Sequence, residues 1–294
     1  MATARLATTL CGIHLPTPVL AAAGTFAYGV EMDGLVDWPW VGGIVVKGLS
    51  REPMAGNPPP RLWETEGGMM NSIGLQNIGV RAFIAQKLPA LRKLPAPVIA
   101  NVFGNAIEDY LAVTGALDAE DGVTAYELNV SCPNTKHGGM LFSADPDLLG
   151  ELVAAVRART KRPLIVKLSP NVARIEPAAL AVERAGADAL SLVNTFIGLA
   201  INPYTRKPRI GAGFAGVSGP AIKPLALRLV YEAARAVRIP VIGLGGIASG
   251  LDAAEFMIAG AAAVQVGTAT FWDPGAVSRI ARELDAFLTE QGLG

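Results

Sequence analysis

The chain has 294 residues, 51% of them hydrophobic and only 17% charged, and its 25 basic and 25 acidic residues give a formal net charge of zero. This balance argues against a nucleic-acid-binding surface, which needs a basic excess, and no apolar run reaches the roughly 18 residues of a membrane span. The two cysteines and two histidines leave no disulfide framework, no four-thiolate iron–sulfur cluster and no metal site, and they fit a reducing, cytoplasmic setting.

Short apolar runs that end on polar or glycine residues recur along the chain and alternate with stretches of helical spacing. Candidate strands begin near residues 19, 44, 98, 126, 164, 189, 241 and 263. Helices are predicted at 81–92, 108–118, 145–160, 176–185, 225–237, 251–259 and 276–289. Eight strands, almost all of them followed by a helix, predict one domain, residues 1–294, folded as a closed (β/α)8 (TIM) barrel. A short hairpin strand at 11–15 is expected to close the barrel floor.

Two long segments rich in Gly, Pro and Asn interrupt this alternation, at 49–79 and 196–220. Segments of this length inside a compact domain are usually functional or disordered. Trp63 and Leu75 indicate that the first one is ordered and packed. Both leave from the carboxyl ends of strands, the rim at which barrel enzymes carry their sites. The sequence therefore predicts long loop insertions over that rim, with a ligand site there.

Polar and glycine residues accumulate at the predicted strand ends: Gly24, Lys47, Gly48, Asn101, Asn129, Lys167, Asn194, Thr195, Gly245, Gly246, Gly267 and Thr268. The glycine turns after the last two strands would let backbone N–H groups approach a phosphate. A G-x-G-x-x-A pattern at 243–248 also fits a dinucleotide fingerprint, but only one strand follows it, and that strand ends without the acidic residue that holds a ribose.

The charged and amide side chains at this rim indicate the chemistry of the ligand. A lysine inside a barrel mouth is costly unless it faces an anion, so Lys47 and Lys167 favour an anionic cofactor and substrate. Amide side chains offer both donors and acceptors, which suits a cyclic amide such as a pyrimidine. The amides concerned are those of Asn71, Asn129, Asn134 and Asn194.

Cys132 lies in the segment Asn129-Val-Ser-Cys-Pro-Asn134, directly after a predicted strand. A thiol at such a strand end is well placed for proton transfer or nucleophilic catalysis. A lone cysteine is more often a small buried hydrophobe, but the polar groups of Asn129, Ser131 and Asn134 favour the functional interpretation. Position alone leaves acid, base and nucleophile open.

The segments 71–77 (NSIGLQN), 129–134 (NVSCPN), 167–169 (KLS) and 193–195 (VNT), together with the glycine turns, resemble dihydroorotate dehydrogenases over nearly the whole chain. Residues 56–63 and 218–224 are more similar to the class I, type B catalytic subunit than to the fumarate-using type A. Cys132 stands where the quinone-linked class II enzymes have a serine, which argues against that class.

This resemblance implies oxidation of dihydroorotate to orotate in pyrimidine biosynthesis, with Cys132 as the base that takes the C5 proton while hydride passes from C6 to N5 of a non-covalent FMN. The implied FMN contacts are Ala23 (through its backbone only), Lys47, Gly48, Asn101, Asn129, Lys167, Val193, Gly219 and, around the phosphate, Gly245, Gly246, Gly267 and Thr268. The implied substrate contacts are Lys47, Asn71, Ser72, Ile73, Gly74, Leu75, Asn129, Asn134, Asn194 and Thr195. Lys167 would stabilise negative charge on the reduced flavin.

The resemblance also implies a homodimeric core and a partner subunit that carries FAD and an iron–sulfur cluster and passes electrons to NAD⁺. Two cysteines cannot ligate such a cluster within this chain. Among other redox barrels, a dihydropyrimidine dehydrogenase-like domain acting on uracil, a fumarate-linked enzyme and a tRNA dihydrouridine synthase are the alternatives. A non-redox phosphate-binding isomerase or lyase barrel would also explain the glycine turns, but it would be colourless.

Overall fold

The computed structural model describes residues 5–131 and 139–293. Its strands are β1 (Thr8–Leu10), β2 (Ile13–Leu15), β3 (Val19–Ala21), β4 (Ile44–Val45), β5 (Leu62–Thr65), β6 (Gly68–Asn71), β7 (Val98–Val102), β8 (Ala125–Asn129), β9 (Leu164–Lys167), β10 (Ala189–Leu192), β11 (Phe196–Leu199), β12 (Ile201–Asn202), β13 (Lys207–Pro208), β14 (Phe214–Ser218), β15 (Val241–Leu244) and β16 (Ala261–Val266). Eight of them close a barrel in the order β3-β4-β7-β8-β9-β10-β15-β16. Each pairs in parallel with its neighbours. The predicted (β/α)8 barrel is confirmed.

The helices that cover the barrel are α1 (Gly79–Gln86), α2 (Leu88–Leu91), α3 (Ile107–Asp118), α4 (Gly139–Ala144), α5 (Pro146–Arg157), α6 (Glu176–Arg184), α7 (Lys223–Ala236), α8 (Gly250–Ile258) and α9 (Ala276–Glu290). The helix predicted at 81–92 is divided in two, because Pro89 lacks an N–H group and its ring collides with the preceding turn. The short helix α4 was not predicted. Within the described ranges, no helix is long and apolar enough to cross a membrane.

Side chains along the barrel strands alternate between the helix layer and the barrel interior, as the two-residue period of a strand requires. In β7, Val98, Ala100 and Val102 pack in the large core that includes the helices. Ile99 points the other way, into the barrel. Each barrel strand contributes one apolar residue to the same interior layer, namely Leu20, Val45, Ile99, Ala125, Ile165, Ala189, Ile242 and Ala263.

A hairpin of β1 and β2 closes this interior layer from below. Leu10, Ile13 and Leu15 pack against the apolar layer, so the hairpin predicted at the barrel floor is present. Its strands differ from the prediction, because Cys11 and Gly12 form the turn at φ 51° and 79° and are not part of a strand.

The two long segments contain regular structure that the sequence did not predict. Strands β5 and β6 of the first segment join β11 and β14 of the second in a four-stranded antiparallel sheet. Asn71 on β6 pairs with Gly216 on β14. The two segments that leave the carboxyl ends of β4 and β10 are therefore held to each other through backbone hydrogen bonds.

The close approach of β6 and β14 depends on Gly68, because a Cβ atom there would collide with the backbone carbonyl of Ser218. Gly68→Ala should therefore lower the free energy of unfolding by about 1–3 kcal/mol, the usual cost of overpacking. Urea unfolding followed by fluorescence measures this.

The matched control is Gly115→Ala inside α3, where an added Cβ would meet nothing within 4 Å. It should raise the free energy of unfolding by roughly 0.5–1 kcal/mol, because alanine loses less conformational entropy than glycine in a helix. Equal urea midpoints for the two variants would contradict the packing described for the small sheet.

Candidate active site

A polar layer lies directly above the apolar floor of the barrel. Its members follow the floor residues of the same strands by two positions, so they also point inward. They are Lys47, Asn101, Glu127, Lys167, Ser191 and Gln265. Glu127, Ser191 and Gln265 are completely buried, and Asn101 and Lys167 are 1% and 6% exposed. The barrel interior is therefore apolar at the floor and polar toward the carboxyl ends of the strands.

Glu127 on β8 is the centre of this layer. Its Oε1 accepts a hydrogen bond from Nδ2 of Asn101 at 2.7 Å and lies 3.9 Å from Nζ of Lys167. Its Oε2 accepts hydrogen bonds from Oγ of Ser191 at 2.9 Å and from Nε2 of Gln265 at 2.8 Å. Both carboxylate oxygens are thus engaged, which a buried charge requires.

Sequence reasoning missed Glu127, Ser191 and Gln265. They lie inside apolar runs whose pattern predicts a buried strand and no functional residue. The signal that could have found them is the same two-residue period, since each follows an apolar inward position (Ala125, Ala189 and Ala263) by two residues.

Two asparagines lie above the polar layer at the ends of β8 and β10. Nδ2 of Asn194 donates to Oδ1 of Asn129 at 3.2 Å, and the same Oδ1 accepts from the backbone N–H of Ser131 at 3.2 Å. The hydroxyl of Tyr110 donates to the backbone carbonyl of Asn129 at 2.9 Å. These contacts fix the orientation of both amide side chains at the rim.

A small cavity of about 90 Å³ is lined by Lys47, Asn101 and Lys167 of the polar layer and by both rim asparagines. Its lining residues are Ala23, Gly24, Lys47, Gly48, Leu75, Asn101, Phe103, Asn129, Lys167 and Asn194. A larger pocket of about 460 Å³ shares Gly24 and Lys47 with it. The structure therefore brings eight of the predicted FMN and substrate contacts together. Of the other two lining residues, Gly24 was predicted at the rim and Phe103 was not.

Glycines on the other side of the rim allow backbone segments to approach one another. Gly219, Gly245 and Gly246 have φ angles of 97°, 126° and 86°, which side chains other than glycine rarely adopt. A Cβ at Gly246 would lie 2.9 Å from both the carbonyl oxygen of Gly219 and the backbone nitrogen of Lys223. At Gly246, the turn after β15 therefore packs against both the end of β14 and the first residue of α7, and only glycine fits at this position.

Thr268 and Ser218 connect the turn after β16 to the same place, through a hydroxyl–hydroxyl hydrogen bond of 2.8 Å. Val193 is buried, and its N–H donates to the carbonyl of Leu244 at 2.8 Å. A Cβ at Gly267 would make only ordinary contacts of 3.6 Å or more. Of the predicted phosphate-binding residues, those around Gly246 are thus the most tightly constrained.

The predicted substrate segment from Asn71 to Leu75 is held by Asn57. The side chain of Asn57 donates to Oγ and the carbonyl of Ser72 at 2.8 and 3.0 Å, and its backbone N–H donates to the carbonyl of Ile73 at 2.9 Å. Gly74 has a φ of 72° and no room for a side chain beside Asn57. Of these five residues, Leu75 alone is among those that line the small cavity.

Of the remaining predicted residues, Thr195 lies within the described part of the chain. Thr195 follows Asn194, whose Oδ1 accepts from the Thr195 N–H at 2.9 Å. The carbonyl of Thr195 accepts from Asn171 at 2.9 Å. Cys132 and Asn134 lie outside the described residues.

The two lysines of the site differ in their surroundings. Lys167 has Glu127 as its carboxylate partner. Over residues 5–131 and 139–293, no carboxylate lies within ion-pair distance of Lys47, and burial, followed by the positive charge of Arg61, lowers the pKa of Lys47. An anionic ligand would supply the counter-charge that Lys47 lacks. In the same described part of the chain, no group of three or more His, Cys, Asp or Glu residues forms a metal site.

The closed barrel and the polar groups at its rim are those of a (β/α)8-barrel enzyme. A family model described as dihydroorotate dehydrogenase matches residues 5–288, and the chain belongs to that family. The resemblance inferred from the sequence motifs is confirmed.

Two relatives and one solved structure define this similarity further. A protein of Solibacter usitatus named "Putative dihydroorotate dehydrogenase A (fumarate)" is 68% identical over 99% of this chain and 96% of its own. A dihydroorotate dehydrogenase B (NAD(+)) catalytic subunit of Geobacter sulfurreducens is 53% identical over 98% of this chain and 94% of its own. The crystal structure of the Eimeria tenella enzyme with ferulenol, only 22% identical, has a TM-score of 0.84 over 99% of this chain and 86% of that one, and shows the fold alone.

Replacing Lys47 tests separately how this residue affects the free energy of unfolding and how it affects ligand binding. Because the pKa of Lys47 is below its ordinary 10.5 in the folded state, the unfolded chain binds more protons between the lowered pKa and 10.5. This group therefore makes stability rise with pH in that window. Lys47→Met should be more stable than the wild type below the window, and the difference should shrink as pH approaches 10.5. Urea unfolding of the ligand-free protein at several pH values measures it.

The same variant should bind orotate about tenfold or more weakly, because a charge-assisted hydrogen bond contributes roughly 1.5–3 kcal/mol. Lys207→Met, on the exposed strand β13, is the control and should change neither property. If Lys47→Met binds orotate with wild-type affinity, Lys47 does not contribute to ligand binding.

Proposed function

We propose that this chain is an FMN-dependent dihydroorotate dehydrogenase that oxidises (S)-dihydroorotate to orotate in pyrimidine biosynthesis. The observation that carries the proposal is the convergence of Lys47, Lys167 and the amides of Asn129 and Asn194 on one cavity at the barrel rim, in a chain of this family. An anionic cyclic amide is the ligand that such a set of groups recognises.

The proposed substrate contacts divide between charge and amide recognition. Lys47, which lacks a carboxylate partner among the described residues, would hold the carboxylate of dihydroorotate. The amides of Asn129 and Asn194 would contact the ring, with further contacts from Asn71, Ser72, Ile73, Gly74, Leu75, Asn134 and Thr195. Because Asn57 holds 72–74 in a fixed backbone conformation, this segment is pre-organised for a small, rigid ligand.

The residues at the rim fit a bound FMN. Gly245, Gly246, Gly267 and Thr268 are only partly buried, so their backbone N–H groups would be available to the phosphate. Ala23, Gly48, Val193 and Gly219 would contact the cofactor through backbone groups, and Lys47, Asn101, Asn129 and Lys167 through side chains. When bound, FMN supplies the two-electron acceptor that the oxidation of dihydroorotate requires.

We assign proton removal to Cys132, in line with the resemblance of the segment 129–134 to the family. Oxidation breaks the C5–H and C6–H bonds of dihydroorotate. The C5 proton would go to the Cys132 thiolate and the C6 hydride to the flavin, which leaves the C5=C6 double bond of orotate. Lys167 would favour this hydride transfer, because its charge stabilises the anion of a reduced flavin.

The electron acceptor is the part of the function on which the relatives differ in name. We propose that electrons pass to NAD⁺ through a partner subunit with FAD and an iron–sulfur cluster. Support comes from the relative at 53% identity, whose name specifies NAD(+) and a catalytic subunit. Fumarate is the second candidate acceptor, because the relative at 68% identity is named for it.

We further propose that residues 1–294 form a single domain, that two copies form a homodimeric core, and that the protein is cytoplasmic. The small sheet leaves Ile197, Leu199 and Phe214 49%, 47% and 66% exposed, and apolar patches of this kind commonly mark interfaces. Cys11 is a free thiol, which fits a reducing compartment.

The purified chain should be yellow, and its visible flavin absorbance should bleach when dihydroorotate is added without oxygen. Dihydrouracil, the reduced form of uracil, lacks the carboxylate that Lys47 would bind and should leave the absorbance unchanged. A colourless protein would favour the non-redox barrel, and bleaching by dihydrouracil would favour the uracil-type enzyme.

Addition of an electron acceptor to the bleached protein then distinguishes the two types. Rapid reoxidation by fumarate indicates type A, and rapid NAD⁺ reduction by this chain alone would contradict the two-subunit proposal.

Cys132→Ser should retain FMN but lose most of its turnover near neutral pH, because a hydroxyl is a much weaker base than a thiolate. A free cysteine titrates near pH 8.5, so wild-type turnover should rise from neutral toward mildly alkaline pH. Cys11→Ser is the matched control and should keep the wild-type rate and pH profile. Steady-state rates at several pH values test both points, and an unchanged rate for Cys132→Ser would remove this residue from the mechanism.

A further inference from the structure

We propose that Glu127 is a positioning residue that sets the electrostatic potential at the cofactor by partly offsetting the charge of Lys167 and by fixing the amide of Asn101. This inference rests on the proposed FMN site. It concerns a side chain of the polar layer that does not itself line the cavity.

The geometry allows Glu127 to act on the cavity through its partners. Its Oε1 is shared by Asn101 at 2.7 Å and Lys167 at 3.9 Å, and both of these side chains line the cavity. Its Oε2 is held by Ser191 and Gln265, at 2.9 and 2.8 Å. One oxygen therefore contacts side chains that line the cavity, and the other is held by side chains that do not.

Structural need alone does not account for a carboxylate at this position. The floor layer fills the barrel with apolar side chains, and replacing a buried ion pair by well-packed apolar residues is often neutral or stabilising. The donors on Oε2 also keep the carboxylate in place without Lys167. What Glu127 adds is a negative charge next to Lys167, which lines the cavity and is 6% exposed.

The consequence concerns the balance between oxidised and reduced flavin. Oxidised isoalloxazine is neutral and its two-electron reduced form is readily anionic, so an isolated lysine charge would favour the reduced form strongly. Glu127 reduces this preference, because an opposite charge beside Lys167 weakens the field that reaches the cavity. A flavin that must pass its electrons to a further acceptor requires such a limit.

Glu127→Gln tests this, since it removes the charge and nearly keeps the shape. We expect the holoenzyme to prefer reduced over oxidised flavin by at least tenfold more than the wild type, which is a positive shift of about 30 mV for a two-electron couple. Equilibration with redox dyes measures the midpoint potential. Ser191→Ala is the matched control, because it removes one hydrogen bond to Glu127 but no charge, and it should shift the preference by less than threefold.

A double variant shows whether Glu127 offsets Lys167. Lys167→Met alone should shift the midpoint potential in the negative direction, and Glu127→Gln added to it should bring the potential back toward the wild-type value, because the fields of the two opposite charges add at the flavin. If Glu127→Gln alone does not retain flavin, urea unfolding of the two single variants and the double variant decides the coupling: the double variant should lose less stability than the sum of the singles, because neither charge is then left unpaired.

An unchanged midpoint potential in Glu127→Gln, a Lys167→Met potential that Glu127→Gln does not raise, or additive losses of stability would each overturn the inference. A wild-type chain that binds no FMN would overturn the cofactor proposal and this inference with it. A wild type that binds and reduces FMN normally, combined with an unshifted Glu127→Gln, would overturn this inference alone.

Discussion

The carboxylate of Glu127 imposes a constraint on the whole barrel, because water does not reach it and its charge has to be balanced by the protein itself. The groups that balance it come from four other strands: Asn101 from β7, Lys167 from β9, Ser191 from β10 and Gln265 from β16. A one-residue slip of any of these strands would turn its polar side chain into the helix layer and bring an apolar one inside. The contacts that satisfy the buried charge therefore also fix the register at which the rim residues meet.

The same register gives the barrel interior two layers with different roles. The apolar floor supplies burial and is closed by the hairpin of β1 and β2, while the polar layer above it supplies the groups that line the cavity. The long segments complete the rim from outside, since the sheet that joins β6 to β14 holds the segment ending at Leu75 against the cavity. Stability and chemistry are thus built from successive inward-facing positions of the same strands.

This division explains what the sequence could predict. Barrel strands are buried on both faces and appear as short continuous apolar runs, so their number and order followed directly, and the topology then placed Lys47, Asn101 and Lys167 at one rim. The small sheet could not be predicted, because Asn71 and Gly216 are far apart in the chain and their strands have no local apolar pattern. Glu127 was missed because it lies inside an apolar run, and only the inward direction of its side chain distinguishes its position from that of its neighbours. The role proposed for Cys132 rests on the resemblance to the family, not on its surroundings.

The two lysines of the site show why its electrostatics need both layers. Lys47 lacks a carboxylate partner among the described residues and its pKa is lowered by burial and by Arg61, so it is suited to a ligand that brings a permanent negative charge, such as the carboxylate of dihydroorotate. Lys167 already has Glu127 beside it, so it is suited to a group whose negative charge develops only during the reaction. A full uncompensated charge at Lys167 would hold electrons on the flavin, and a neutral residue would not attract them. With FMN bound as proposed, the pairing with Glu127 would give an intermediate field, which suits an enzyme that accepts a hydride in one step and releases two electrons in the next.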